Sequence, residues 1–125
     1  MTAVTVPSAS PRYIAVMAIS SILSAAVSGL QANATRAQVS ANNVVNADSE
    51  DFTPSRAETT TLVSSRGIDG GSGVQVQVTE EPGEVNLVRE FTEIIQAETA
   101  YKASAQLVQT AEELDDALLD TVRRT

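Results

Sequence analysis

The acidic runs are the first place to look for chemistry. Glu112, Glu113, Asp115 and Asp116 crowd together near the C-terminus. Paired carboxylates do general acid–base work when a cleft raises the pKa of one of them. A run on a helix surface meets solvent instead. Asp48, Glu50 and Asp51 are close enough to suggest calcium, but the twelve-residue loop spacing and its closing glutamate are absent. GIDGGSG, residues 67–73, has the glycines of a phosphate loop without the Lys-Ser/Thr that must follow, so it reads as a turn. The chain has no His and no Cys, which excludes disulfides, thiolate and imidazole metal sites and thiol nucleophiles. Lys102 is the only lysine that could serve a serine nucleophile. No enzyme, cofactor, metal or small-molecule substrate is expected.

The elements that would carry these residues point the same way. The 125 residues suffice for one domain. Hydrophobic residues make up 42%, but Ala and Val dominate them, and Tyr13, Phe52, Phe91 and Tyr101 are the only aromatics. Aromatics bury the most area per residue, so the core of one chain is thin. Without disulfides or metals, such a chain needs partners to complete its burial. The net charge is −8, and all 16 acids lie beyond residue 45. An acidic chain without a basic patch is not a nucleic-acid binder. Its neutral-to-basic first third is expected to lie against its acidic last third.

Residues 1–11 are rich in Ser, Thr and Pro and read as a flexible leader. Residues 12–46 hold no proline and much alanine, and read as a helix. Ala18, Ser21, Ala25, Ser28, Ala32, Thr35, Val39 and Asn42 form a row at alternating steps of three and four, almost all small. Ile19, Ile22, Leu23, Ala26 and Leu30 form a larger row beside it. Gly29 costs a helix about 1 kcal/mol relative to Ala; it is either a tolerated defect or a place where another backbone comes near. Residues 12–34 can also be read as a secretory signal, with Arg12, an apolar run and Ala32-Asn33-Ala34 as the cleavage site. Ser20, Ser21, Ser24, Ser28 and Gly29 dilute that run too far for a membrane span.

Residues 47–84 read as an acidic loop and a small β-hairpin. ETTTLVSS is β-prone, RGIDGGSG is the tip, and VQVQV places Val74, Val76 and Val78 on one face. Residues 85–125 contain no Gly or Pro and read as a second long helix. Its row is Ile94, Ala97, Tyr101, Ala105, Val108, Ala111, Leu118 and Val122, close to a 3.5-residue repeat. The expected fold is therefore mainly α. Long N- and C-terminal helices pair in a coiled-coil-like manner, with a small β-hairpin between them.

SGLQANATRAQVSANNVVNADSEDF, residues 28–52, resembles the N-terminal signature of bacterial flagellar rod and hook proteins. VNLVREFTEIIQAETAYKASAQLVQTAEELDDALLDTVRR, residues 85–124, resembles their C-terminal signature. Asp51 stands at a family glycine and Ser104 at a common family Asn. The resemblance implies terminal helices that pair and form the inner tube of the flagellar axis. Partners would be copies of the chain, other axial proteins and the flagellar export apparatus, with passage to the basal body without signal cleavage. The short middle segment points to a small, proximal-rod-like subunit. Packing and assembly would fall to Ala25, Ser28, Gly29, Leu30, Ala32, Asn42, Asn43, Asn46 and Phe52, and to Phe91, Ile95, Tyr101, Ala105, Val108, Ala111 and Leu118. The three asparagines would satisfy backbone groups where the helix ends. The competing readings are a secreted periplasmic helical binding protein, with residues 12–34 cleaved, and an unrelated coiled-coil adaptor.

Overall fold

The computed structural model describes residues 10–63 and 71–124. Helix α1 (Pro11–Val45) is followed by strands β1 (Ser55–Val63) and β2 (Ser72–Glu80) and helix α2 (Leu87–Arg123). The fold is two long helices with a two-stranded antiparallel hairpin between them. Residues 1–9 of the expected 1–11 leader, and most of the expected tip, residues 64–70, lie outside the described residues, whereas Ser10 and Pro11 of that leader begin α1.

Each helix begins where its capping chemistry sits. Ser10 Oγ accepts from the Tyr13 amide, with Pro11 in the first turn. Asn86 caps α2 through the Arg89 amide, and Glu90 in its first turn and Arg123 in its last suit the helix dipole. At 37 residues α2 is about 55 Å long. The i,i+4 pairs Glu98–Lys102 and Asp120–Arg124 lie on its exposed surface. Hydrogen bonding from Lys102 holds the Glu98 carboxyl below its usual range.

Asn46 closes α1. Its backbone N–H and its side-chain amide both donate to the Asn42 carbonyl, at 3.1 and 2.9 Å. The loop beyond turns back through Asp51, the one non-glycine residue with positive φ among the described residues, at 59°. This is the left-handed region, which Gly occupies freely and Asp tolerates. Asp51 therefore adopts a glycine-like backbone.

The strands pair in register without interruption from Ser55 opposite Glu80 to Val63 opposite Ser72. Both start earlier than expected, or run further. Ser72 and Gly73, assigned to the tip by composition, belong to β2 because Gly73 is needed against the helix. A Cβ there would come within 3.1 Å of Ser28 Oγ.

The helices run antiparallel. Gly29 meets Ser104, Asn43 meets Glu90, and Ile19 and Ile22 share a groove with Leu114 and Leu118. The buried hydrophobic residues are Ala26, Ala32, Ala97 and Ala111, all alanines. No larger apolar side chain among the described residues is fully buried except Pro54. Fully burying one Leu, Val or Phe is worth about 1.5–3 kcal/mol, and the larger apolar residues of this seam, such as Ile19, Ile22 and Leu118, are only half-buried.

Candidate assembly surface

Helix α1 presents three faces. The first meets α2. Ala15, Ile19, Ile22, Ala26, Gly29, Asn33, Arg36, Ser40 and Asn43 are all buried or half-buried, at alternating steps of four and three. On α2 the matching line is Glu90, Ala97, Ser104, Ala111 and Leu118, one every seven residues. The seam is polar at the hairpin end, alanine-like in the middle and apolar at the open end. There it widens into a groove of about 370 Å³ lined by Ala15, Ile19, Ile22, Leu114 and Leu118, among others.

This seam is displaced by one residue from the row expected on α1. Ser28, in the middle of that row, faces not α2 but the hairpin. Ser28 Oγ donates to the Ala25 carbonyl and accepts from the Val74 amide at 3.0 Å, so a helix serine holds strand β2. Val39 and Asn42 likewise line a hollow with Ser55 and Val78. The small residues allow a backbone to approach, but the backbone belongs to a strand. Gly29, which is buried, does face α2. What sits above it is the Ser104 side chain, not a backbone, and a Cβ on Gly29 would stand 2.7 Å from Ser104 Oγ.

At the hairpin end a polar clasp joins all four elements. Asn43 is fully buried, and its amide bonds Ser55 twice: Nδ2 donates to the Ser55 carbonyl at 2.7 Å and Oδ1 accepts from the Ser55 amide at 2.9 Å. The same Nδ2 donates to the buried Glu90 carboxylate at 3.2 Å. Arg89 chelates Glu81 with both guanidinium nitrogens, at 3.3 and 2.9 Å, and reaches Glu90 at 3.4 Å. Arg56 shares Glu81 at 2.9 Å. Arg36 pairs with Glu93 at 2.7 Å and steadies itself on Asn33. Burial lowers the Arg89 pKa, but the hydrogen bond and charge of Glu81, then those of Glu90, outweigh it and leave that pKa above its usual value. A cavity of about 30 Å³ lined by Arg36, Ser40, Arg89, Glu90 and Glu93 is roomy enough for water. No buried side-chain polar atom among the described residues lacks a partner.

The third face looks outward and is apolar. Val16, Leu23, Val27 and Val45 are exposed on α1; Val88, Phe91, Ile95, Leu107, Leu114 and Leu119 are exposed on α2. Val45 is 82% exposed and Val88 78%, values no solitary core would leave. The expected residues divide among the faces. Ala32, Gly29 and Ala111 are buried in the pair, with Ala25, Leu30, Val108 and Leu118 half-buried. Phe91, Ile95, Tyr101 and Ala105 are exposed. Asn42 is exposed, Asn46 is half-buried, and Phe52 is half-buried beside Asp48, Val85 and Leu87. Asn43 and Asn46 thus have different duties: Asn46 caps the helix, and Asn43 holds a strand.

Contrary to the expectation from its serines, α1 is long and apolar enough to cross a membrane by length and composition. Its Ile, Val, Leu and Ala residues outweigh the serines, and no charge interrupts the run between Arg12 and Arg36.

Ala26 and Ala97 stood in the rows read from sequence but not among the residues expected to pack, and Glu90 and Ser104 are seam residues that those rows left out. Their signal was present as the seven-residue spacing from Glu90 to Leu118, obscured because Glu and Ser do not score as apolar.

Residues 84–121 match the family model described as Flagellar basal body rod FlgEFG protein C-terminal. No curated protein matches the chain. The match covers nearly all of α2 with the turn before it. It supports the flagellar rod and hook family, whose members are structural components of the basal body.

Proposed function

We propose that the chain is a structural subunit of the flagellar basal-body rod, of the small proximal type. It assembles through its terminal helices into the tubular drive shaft. The observation that carries this reading is the coincidence of the rod signature on α2 with an alanine-only core and long exposed apolar faces. A solitary soluble protein rarely exposes large apolar patches without a partner to cover them. The partners are copies of the chain, other rod and hook proteins, and the flagellar export apparatus during delivery. The residues that pack between subunits are drawn from the exposed set, with Phe91, Ile95 and Tyr101 on α2. The terminal helices pack in a coiled-coil-like manner, and the chain does not span the membrane: α1 is matched along its length by α2, whose open end carries Glu112, Glu113, Asp115 and Asp116.

The apolar run of α1 also fits a secretory signal. Cleavage after Ala34 would remove Ile22, Ala26, Gly29 and Asn33 from the seam, and with Ser28 the hydrogen bond that holds β2. The fold therefore favours a first helix that stays attached after export. The test is the intact mass of the protein in purified hook–basal bodies. It is expected to show residues 12–34 still attached to the rest of the chain. Absence from basal bodies, or a mature start at Thr35, would refute the reading.

A further inference from the structure

The hairpin leaves two backbone edges open, and their chemistry selects an occupant. The Glu81 amide donates to the Pro54 carbonyl at 2.8 Å, so that pair lies in a hydrogen-bonded position. Narrow and wide pairs alternate in an antiparallel ladder. Ser55, Ala57, Thr59 and Thr61 on β1, and Val74, Val76 and Val78 on β2, therefore direct their backbone groups outward. Two independent contacts agree with this phase. The outward groups of Ser55 are taken by Asn43, and the outward amide of Val74 by Ser28. Those of Ala57, Thr59 and Thr61 meet no partner among the described residues.

We propose that this free edge of β1 docks a second copy of the chain by pairing with the outer edge of that copy's β2. The proposal rests on the rod reading and specifies one of its subunit contacts. Natural edges are protected by Pro, Lys, bulges or short length. Here β1 runs nine residues in unbroken register without Pro or Lys, and Thr59, Thr60, Thr61, Leu62 and Val63 are exposed. A lone two-stranded hairpin is marginal, and a third strand stabilises it.

Charge favours a second copy as the occupant. Each chain carries −8, so copies repel where charged surfaces meet. Residues 59–63 and 72–79 are free of charge, and both halves of the pairing exist in one chain. The β1 edge is free toward the tip and the β2 edge toward the base, where Val76 and Val78 lie beyond Ser28. A contact between two different edges is head-to-tail and propagates, as a rod requires.

Two measurements test this. In Thr61→Pro the lost N–H points outward, so the internal ladder keeps all its bonds. Incorporation into basal bodies is expected to fall roughly fivefold or more, the effect of one lost hydrogen bond per contact. Separately, Thr60→Cys and Gln77→Cys chains are mixed and treated with a short cysteine cross-linker, in basal bodies and as concentrated purified protein. The native chain has no cysteine, so every product reports the introduced pair. Products joining position 60 to 77 are expected. Normal incorporation of Thr61→Pro, no cross-linking in either preparation, or only 60-to-60 and 77-to-77 products would overturn the edge pairing. Absence of the wild-type chain from basal bodies would refute the rod reading instead, and cross-linking of the purified chain would still decide the edge.

Discussion

Replacing Gly29 by leucine should abolish swimming and rod assembly while leaving the free chain as helical as before, or more so. The two effects have different sources. Glycine is the poorer helix former by about 0.8–1 kcal/mol relative to Ala, so its removal favours α1 in isolation. In the paired helices Gly29 is buried, and even a methyl group there would lie 2.7 Å from Ser104 Oγ. That hydroxyl is anchored to the Ala100 carbonyl at 3.0 Å and cannot simply rotate away without losing the bond. Overpacking of this kind costs about 1–3 kcal/mol. In an assembly built from identical subunits, the displacement of α2 repeats at every one. Circular dichroism of the variant, swimming assays and basal-body purification measure the two signs. A Gly29→Ala chain should be rescued in part by Ser104→Gly, because the second change removes the atom in the way. Normal motility of the Gly29→Leu strain would show that the two helices do not pack closely here.

The second large effect is expected at Asn43. In Asn43→Ala the Ser55 N–H and C=O both lose their partner, and the Glu90 carboxylate loses a buried donor. Each unsatisfied buried polar group costs about 1–3 kcal/mol. The half-burial of Ser55 lowers its share, so a total of about 2–4 kcal/mol is expected. The damage should be local, because Asn43 is the residue that fixes the start of β1 to both helices. Hydrogen exchange in a compaction-favouring osmolyte such as trimethylamine N-oxide reads this directly. The Ser55 amide should exchange at least tenfold faster, while amides near Gly29 and Ser104 keep their protection. Asn43→Asp should be worse than Asn43→Ala, since it places a second carboxylate against Glu90. Unchanged protection at Ser55 would show that the clasp does not hold the hairpin.

The contrast between Asn43 and Ser28 shows how far the sequence could be read. The two helices, the hairpin and the common face of Val74, Val76 and Val78 follow from periodicity and from the positions of Pro and Gly. The rotation of α1 does not. Its small residues occur on adjacent rows, and the rows through Ser28 and through Gly29 differ by one residue. Size alone could not say which row met a helix and which met a strand. The polar end of the seam was hidden for a related reason. Arg36, Ser40, Asn43, Glu90 and Glu93 are buried or half-buried through pairing with one another, and a search for apolar stripes passes over them. The turn at Asp51 was marked in the sequence only by the resemblance, which implied a glycine there, and the backbone at Asp51 has the positive φ that glycine favours.

The central claim is that the chain completes its core only with neighbours. A thermal melt of the purified, isolated chain, followed by circular dichroism at micromolar concentration, tests it most directly. With only alanines buried among its described hydrophobic residues, the free chain is expected to be monomeric and partly helical, and to lose its signal gradually. Isolated helices without tertiary burial are marginal in water. A fully helical chain with a sharp, cooperative transition at that concentration would contradict the account, because it would mean that one chain holds a sufficient core of its own.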